Sequence, residues 1–228
     1  MTQVVPELSI DIYSDVVCPW CYVGKRRLER ALAEHSSDLA LRTTWRPFQL
    51  NPTMPLEGMD RRQYLEAKFG SLEAFRRIEE HVVAAGAAEQ IPFAFEGIGR
   101  TPNTFAAHRL IWYANREGRQ DAMVESLFRG YFVEGADIGS LPALIRLAGR
   151  AGLDEKAVAM WLESDSGTAE VKAEETEGHR LGIRGVPYFV FDRAYGLSGA
   201  QPVETFLSAL DKVRARQHAV IDGPARAR

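Results

Sequence analysis

Two cysteines, Cys18 and Cys21, are the only ones in the chain, and they stand together in "SDVVCPWCYVGK", residues 14–25. A thiol pair at this spacing can exchange electrons, hold a metal or fill a core. A closed zinc site needs four ligands, supplied by a second pair or by spaced histidines. There is no second pair, and His35, His81, His108, His179 and His218 show no HxxxH spacing. A free cysteine is often a small buried hydrophobe, but two of them flanking a proline where a strand pattern meets a helical one argue against coincidence. Redox chemistry has the stronger physical case. Helix positions three apart share a face, with Cβ atoms about 5–6 Å apart, and a disulfide needs roughly 3.5–4.5 Å. A small tightening closes the bond. Cys18 falls at the helix N-terminus, where free N–H groups and the helix dipole favour an anion by about 0.3–1 kcal/mol, up to ~2 when partly buried. Cys21 falls one turn in, more shielded. Cys18 is therefore the expected attacking thiolate and Cys21 the resolving thiol. Neither Pro19 nor Trp20 is cationic, and Pro19 has no N–H, so moderate activation is expected.

The surrounding pattern supplies the elements that would position this pair. "ELSIDIYSD" (7–15) alternates apolar and polar residues and reads as a strand. From Pro19 the period becomes helical, with Cys21, Leu28, Ala31 and Leu32 inward and Lys25, Arg26, Glu29 and Arg30 mostly outward. "LALRTTWRPFQL" (39–50) reads as a second strand, broken at Pro47. From about 60 to 182 helix follows helix. Ala107, Leu110, Ile111 and Ala114 recur at helical spacing, as do Val124, Leu127, Phe128 and Tyr131, and Leu141, Leu144, Ile145 and Ala148. Ser140 is an expected N-cap with Pro142 in the first turn, and Asp154 opens a further short helix. "VPYFVFD" (186–192) and "AYGLSGA" (194–200) read as a hairpin. Pro202 starts a last helix through about Arg214, and "IDGPARAR" is expected to fray. An α/β layer split by a helical insertion accounts for this order. Its two strand blocks must pair across the insertion, because a lone hairpin is marginal in water.

Composition narrows the class. The 228 residues are 46% hydrophobic with a net charge of −3, which suits a core-forming globular chain and gives no general attraction to nucleic acid or anionic membrane. No 18-residue apolar run is present. "MTQVVPELSIDIYSD" lacks the basic start, apolar stretch and cleavage site of a secretory signal. A cytoplasmic location is expected, where a purely structural disulfide is disfavoured.

"SDVVCPWCYVGK", "WRPFQLNP" (45–52), "NTFAAHRL" (103–110), "GVPYFVF" (185–191) and "SGAQP" (198–202) together resemble the cytoplasmic FrnE-like branch of the DsbA-family thiol-disulfide oxidoreductases. The resemblance touches both ends and the middle of the chain, and its specific part is the CPWC followed late by Val-Pro. It implies a thioredoxin-like fold with a large all-helical insertion: core segments at 1–55 and 183–216, an insertion at 56–182 and a flexible tail at 217–228. It implies a disulfide oxidoreductase or isomerase acting on a disulfide-containing protein or a small-molecule thiol. No bound cofactor is implied, and glutathione is a candidate redox partner. By the residues alone Pro187 is a trans proline opening a strand; the resemblance implies instead a cis-proline loop facing the cysteines, with Val186 pairing its backbone to substrate. Relatives with a buried carboxylate carry it six residues before the first cysteine, where this chain has Ile12; Asp11 and Asp15 stand nearby. Periplasmic relatives carry histidine where this chain has Trp20, which argues against a strong oxidant. Kappa-class glutathione transferases and 2-hydroxychromene-2-carboxylate isomerases share the core and insertion, use glutathione, and typically have serine near the first-cysteine position. A glutathione-dependent reaction on a small aromatic or polyketide-like molecule is thus the alternative.

Pro19, Trp20, Val186, Pro187, Asn103 and His108 are the substrate-binding candidates beside the two cysteines. His108 reads more readily as a satisfied structural histidine than as a pocket-lining one, and Asn103 reads also as a helix cap. Trp45 and Phe48 suit core packing better than a groove. "AEETEGH" (173–179) reads as a solvated helix face, and "GIGRTPN" (97–103) lacks the fingerprint of a phosphate loop. Symmetric pairs are common among soluble oligomers, so a homodimer is the default expectation.

Overall fold

The computed structural model describes residues 7–35 and 40–221, with side chains through residue 217. Strand β1 (Glu7–Ser14) leads into helix α1 (Pro19–Glu34) and strand β2 (Ala40–Pro47). Beyond β2 come β3 (Met59–Asp60), α2 (Arg61–Phe69), α3 (Leu72–Ala88) and β4 (Arg100–Thr101). Five helices follow: α4 (Phe105–Arg116), α5 (Gln120–Phe132), α6 (Leu141–Arg150), α7 (Glu155–Glu163) and α8 (Thr168–Arg180). The chain returns through β5 (Tyr188–Phe191) and β6 (Tyr195–Ser198) and ends in α9 (Val203–Ile221).

The main sheet runs β2-β1-β5-β6, with β1 parallel to β2 and antiparallel to β5. The two strand blocks therefore do pair across the helical stretch. Leu8, Ile10 and Ile12 alternate along β1 and meet Phe189 and Phe191 of β5, Leu28 and Ala31 of α1, and Phe206 and Leu210 of α9. Each such buried side chain contributes about 1.5–3 kcal/mol. Tyr13 points to the opposite face, where it packs with Phe48 and Ile183. Gly178 of α8 is the contact that lets this happen: a Cβ there would fall 2.7 Å from the Tyr13 ring. Antiparallel pairing of Ile12 with Phe189 and Tyr13 with Tyr188 sets the C-terminal end of β1 beside the N-terminal end of β5. The loop after β1 carries the cysteines, and the segment before β5 carries Val186 and Pro187, so this register brings them together.

The helical readings hold. Ala107, Leu110, Ile111 and Ala114 of α4 are buried, as are Val124, Leu127, Phe128 and Tyr131 of α5. Ser140 and Asp154 cap α6 and α7 by accepting the Ala143 and Ala157 N–H groups at 3.4 and 2.7 Å. Four features depart from expectation. The middle stretch is not purely helical, because β3 and β4 form a two-stranded ladder. Helix α9 continues past Arg214 and past the expected tail boundary at 217, to Ile221; residues 222–228 lie outside the described residues. The acidic run of α8 is not simply solvated: Glu174 accepts from Arg46 at 2.9 Å and Glu175 from the Gln49 N–H at 2.8 Å, fastening α8 to the end of β2. Lys25 is not outward but buried in a cage of carboxylates. Trp45 and Phe48 are core residues, 4% and 5% exposed.

Candidate active site

Val17 ends the apolar run after β1, and Pro19 starts α1 because its missing N–H is one that the first helical turn leaves unpaired in any case. Cys18 becomes the N-cap, with extended backbone (φ −94°, ψ 110°) and no side-chain cap of its own. Its N–H donates to the Asp15 carbonyl at 3.0 Å, and its carbonyl accepts from the Cys21 N–H at 3.0 Å. Both thiols are free; Cys18 is 5% exposed and Cys21 is sealed at 0%. The Cys18 thiol donates to the Val186 carbonyl at 3.6 Å, and the Val186–Pro187 bond is cis. The trans proline read from the residues alone is thereby corrected: the strand begins only at Tyr188, and Pro187 sits in the turn before it.

Burial pushes the Cys21 thiol well above the ordinary thiol range, and the neighbouring Cys18 pushes it further. The Ser14 hydroxyl and the backbone of Asp15 pull the other way. Ser14 Oγ is otherwise a buried oxygen without a hydrogen bond of good geometry. The end of β1 thus presents Cys21 with the polar groups its anion would need.

Asp15 itself is fully buried. Its Oδ2 accepts the Leu50 N–H at 2.7 Å, and its Oδ1 faces His108 Nε2 at 3.4 Å. Neither Oδ1 nor Nε2 makes a well-formed hydrogen bond, so a carboxyl and an imidazole face each other, buried, between the loop after β1 and α4.

A cavity of about 250 Å³ opens beside Cys18. It is lined by Pro19, Trp20 and Leu50, by Leu65 of α2 and by Phe75 and Val82 of α3. Of the predicted binding residues, Pro19 and Trp20 line this cavity and Val186 touches the thiol. Asn103 and His108 do not line it. Asn103 ties a loop, donating to the Met54 carbonyl at 2.7 Å and accepting the Phe105 N–H at 2.9 Å at the start of α4. A separate cavity of about 350 Å³ over Asp11, Tyr13 and Arg46 holds neither cysteine. Sequence reasoning missed Ser14, Arg61, Lys68 and the apolar faces of α2 and α3. The available signal was Phe75, Ile78 and Val82 at helical spacing; in the structure Ile78 is exposed despite its size.

A DSBA-like thioredoxin domain matches residues 9–211. The chain belongs to that family. A crystal structure described as a "probable DsbA oxidoreductase" from Streptomyces coelicolor is 35% identical, with a TM-score of 0.84 over 97% of this chain and 93% of that one. The 2-hydroxychromene-2-carboxylate isomerase (17% identity, TM-score 0.67, 93% and 98% covered) shares the fold. So does the cytosolic disulfide reductase DsbM from Pseudomonas aeruginosa, solved with GSH (20% identity, TM-score 0.65, 91% and 99% covered). In this DsbA-like chain, the position six before the first cysteine is Ile12, fully in the apolar core; the buried acid is Asp15. Among the described residues no group of three metal-ligating side chains occurs, and no helix is long and apolar enough to cross a membrane.

Proposed function

We propose that the chain is a thiol-disulfide oxidoreductase in which Cys18 attacks and Cys21 resolves. The observation that carries this reading is the placement of Cys18 at the N-cap of α1, against the Val186 carbonyl and on the wall of a cavity, with Cys21 sealed one turn behind. The Cys18 thiolate bonds to one sulfur of a substrate disulfide and the other sulfur leaves as a thiolate. Cys21 then loses its proton and bonds to Cys18 Sγ, expelling the second thiolate. Burial keeps Cys21 protonated, and so silent, until that second step. Ser14 and the Asp15 backbone stabilise its anion when it forms. Val186 offers its backbone to an extended substrate, and Asp15, His108 and Asn103 hold the loops from behind. In a reducing compartment the resting dithiol runs in the reducing or isomerising direction.

A redox titration in glutathione buffers, followed by mass after alkylation, tests the pair directly. A single two-electron transition is expected. Cys18→Ser is expected to abolish turnover and Cys21→Ser to trap a mixed disulfide; unchanged turnover in Cys18→Ser defeats the reading. A second reading, glutathione-dependent transfer or isomerisation of a small molecule, draws support from the shared fold of the isomerase and of DsbM solved with GSH. It expects tight glutathione binding and turnover that survives Cys21→Ser.

A further inference from the structure

The cavity beside Cys18 has a chemical character that dithiol exchange alone does not require. Phe69, Phe75, Val82 and Phe132 make it apolar. An apolar cavity of roughly 150 Å³ takes a benzene ring, so 250 Å³ takes a substituted one. Two cations, Arg61 and Lys68, line the same cavity. Arg61 lies with its guanidinium 5.7 Å from the ring centres of Phe75 and Phe95 and donates to the Tyr131 hydroxyl at 3.3 Å. Lys68 donates to the Tyr64 hydroxyl at 2.6 Å and lies 5.2 Å from that ring centre. Among the described residues, neither Arg61 nor Lys68 has an ion-pair partner within 4.0 Å. Glu79 is the acid lining this cavity, and burial holds its carboxyl above the ordinary range while Arg61 draws it down. The cations therefore outnumber the acid. The hydroxyl of Thr101, a residue 2% exposed that also lines the cavity, lies beside the Tyr131 phenol yet lacks a hydrogen bond of good geometry. An apolar chamber with surplus positive charge and an unfilled polar group, opening on a nucleophile, fits a ligand that is apolar in body and anionic at one end.

We infer that this cavity takes a small aromatic disulfide bearing an acid group, the ring seated against Phe75 and Phe132 and the anion paired with Arg61 and Lys68. The inference rests on the dithiol reading above and names its substrate class. The dithiol gives up two electrons: one aryl thiolate leaves when Cys18 bonds to the ligand sulfur. The second leaves when Cys21, its proton released to water, bonds to Cys18.

The test is stopped-flow oxidation of the reduced full-length protein by three disulfides. They are 5,5′-dithiobis(2-nitrobenzoate), which is aromatic and acidic, 2,2′-dithiodipyridine, which is aromatic and uncharged, and oxidised glutathione, which is acidic without a ring. Arg61→Gln and the exposed Lys68→Glu are each expected to lower the ratio of acidic-aromatic to uncharged-aromatic rate constants about 10-fold, the scale of one charge-assisted hydrogen bond. That ratio is also expected to fall as salt rises from about 0.05 to about 0.5 M. An unmoved ratio in both variants overturns the acid site, and oxidised glutathione reacting as fast as the acidic aromatic disulfide overturns the ring site. A wild-type protein inert to all three overturns the dithiol reading instead.

Discussion

The Cys18 sulfur lies 3.6 Å from the carbonyl oxygen of Val186, 168 positions further along the chain. What holds them there is the packing of α1 on the start of β5. Gly24, one turn beyond Cys21, leaves room for that approach: a Cβ at this position would sit 3.1 Å from both Pro187 Cγ and Phe189 Cζ. Both neighbours are buried, so neither yields easily. Gly24→Ala gains up to about 1 kcal/mol of helix propensity but overpacks a core contact, which typically costs about 1–3 kcal/mol. A net loss of about 1 kcal/mol in urea unfolding is expected, with slower attack by Cys18. A more stable variant with wild-type rates would mean that Pro187 moves freely and that its position is not set by this contact.

Cys21 predicts a pH dependence. Its raised thiol value, caused by burial and then by Cys18, means that iodoacetamide at pH 8 should modify Cys18 alone and reach Cys21 only well above the ordinary thiol range or after unfolding. The sign for stability follows. An acid whose folded value is raised contributes stability fully below its unfolded value, near 8.5, and loses that contribution as pH climbs through the folded value. The reduced protein should weaken on the alkaline side, and Cys21→Ala should weaken less over the same interval. Peptide mapping after timed alkylation decides the first point; equal labelling of both thiols at pH 8 would contradict the burial.

On the proposed dithiol mechanism, Ser14 should bear on the second chemical step only. Its hydroxyl favours the Cys21 anion and is buried without another well-formed hydrogen bond. A neutral hydrogen bond contributes about 0.5–1.5 kcal/mol, so Ser14→Ala should lengthen the life of the Cys18 mixed disulfide by roughly 2- to 10-fold. The rate of initial attack should stay as in the wild type. Quenched-flow mass analysis separates the two steps, and equal slowing of both would show that Ser14 merely supports the loop.

Asp15 and His108 predict a coupled loss. Removing one partner leaves the other buried polar atom facing no polar group, which costs about 1–3 kcal/mol. Asp15→Asn also weakens the acceptor of the Leu50 N–H. A double-mutant cycle with His108→Gln should return a coupling of about 1–3 kcal/mol. Additive losses would show that the 3.4 Å approach carries no energy.

What could be read from the sequence was local. The alternation of Leu8, Ile10 and Ile12, the proline that starts α1 and the aromatic run of β5 each announce their element within a few residues. Thiols at a strand-to-helix junction are legible for the same reason. The rest depends on who meets whom. Nothing near Asp15 announces His108, because their proximity is made by α4 packing on β2, beside the loop that follows β1. Nothing in Arg61 or Lys68 marks them as cavity residues rather than surface cations; the apolar rings they stand over come from other turns and other helices. The β3–β4 ladder is two residues a side, too short to alternate. Glu174 looked solvated because its partner, Arg46, sits on a strand far away in the chain.

Lys25 is the sharpest case of that kind and gives the last prediction. Its side chain is 3% exposed on α1, and its ammonium meets Asp121 at 3.1 Å and Glu125 at 3.4 Å on α5, with Glu29 of its own helix closer still. Asp121 also accepts from the Trp45 indole at 3.1 Å, so the cluster joins α1, the sheet and the helical block. Burial opposes the charge, but Asp121, Glu29 and Glu125 together outweigh it and hold the ammonium above the ordinary lysine range. Lys25→Met removes the cation and leaves carboxylates that still reach water. The loss at pH 7 should therefore be about 1–3 kcal/mol, below that of a fully buried pair. A base whose folded value is raised contributes stability fully below its unfolded value, near 10.4, and loses it as pH rises through the folded value. The gap between wild type and Lys25→Met should accordingly be constant from pH 7 to about 10 and close above it. Urea unfolding at stepped pH measures that gap, and one that persists unchanged into strong alkali would assign the effect to packing of the lysine stem instead of its charge.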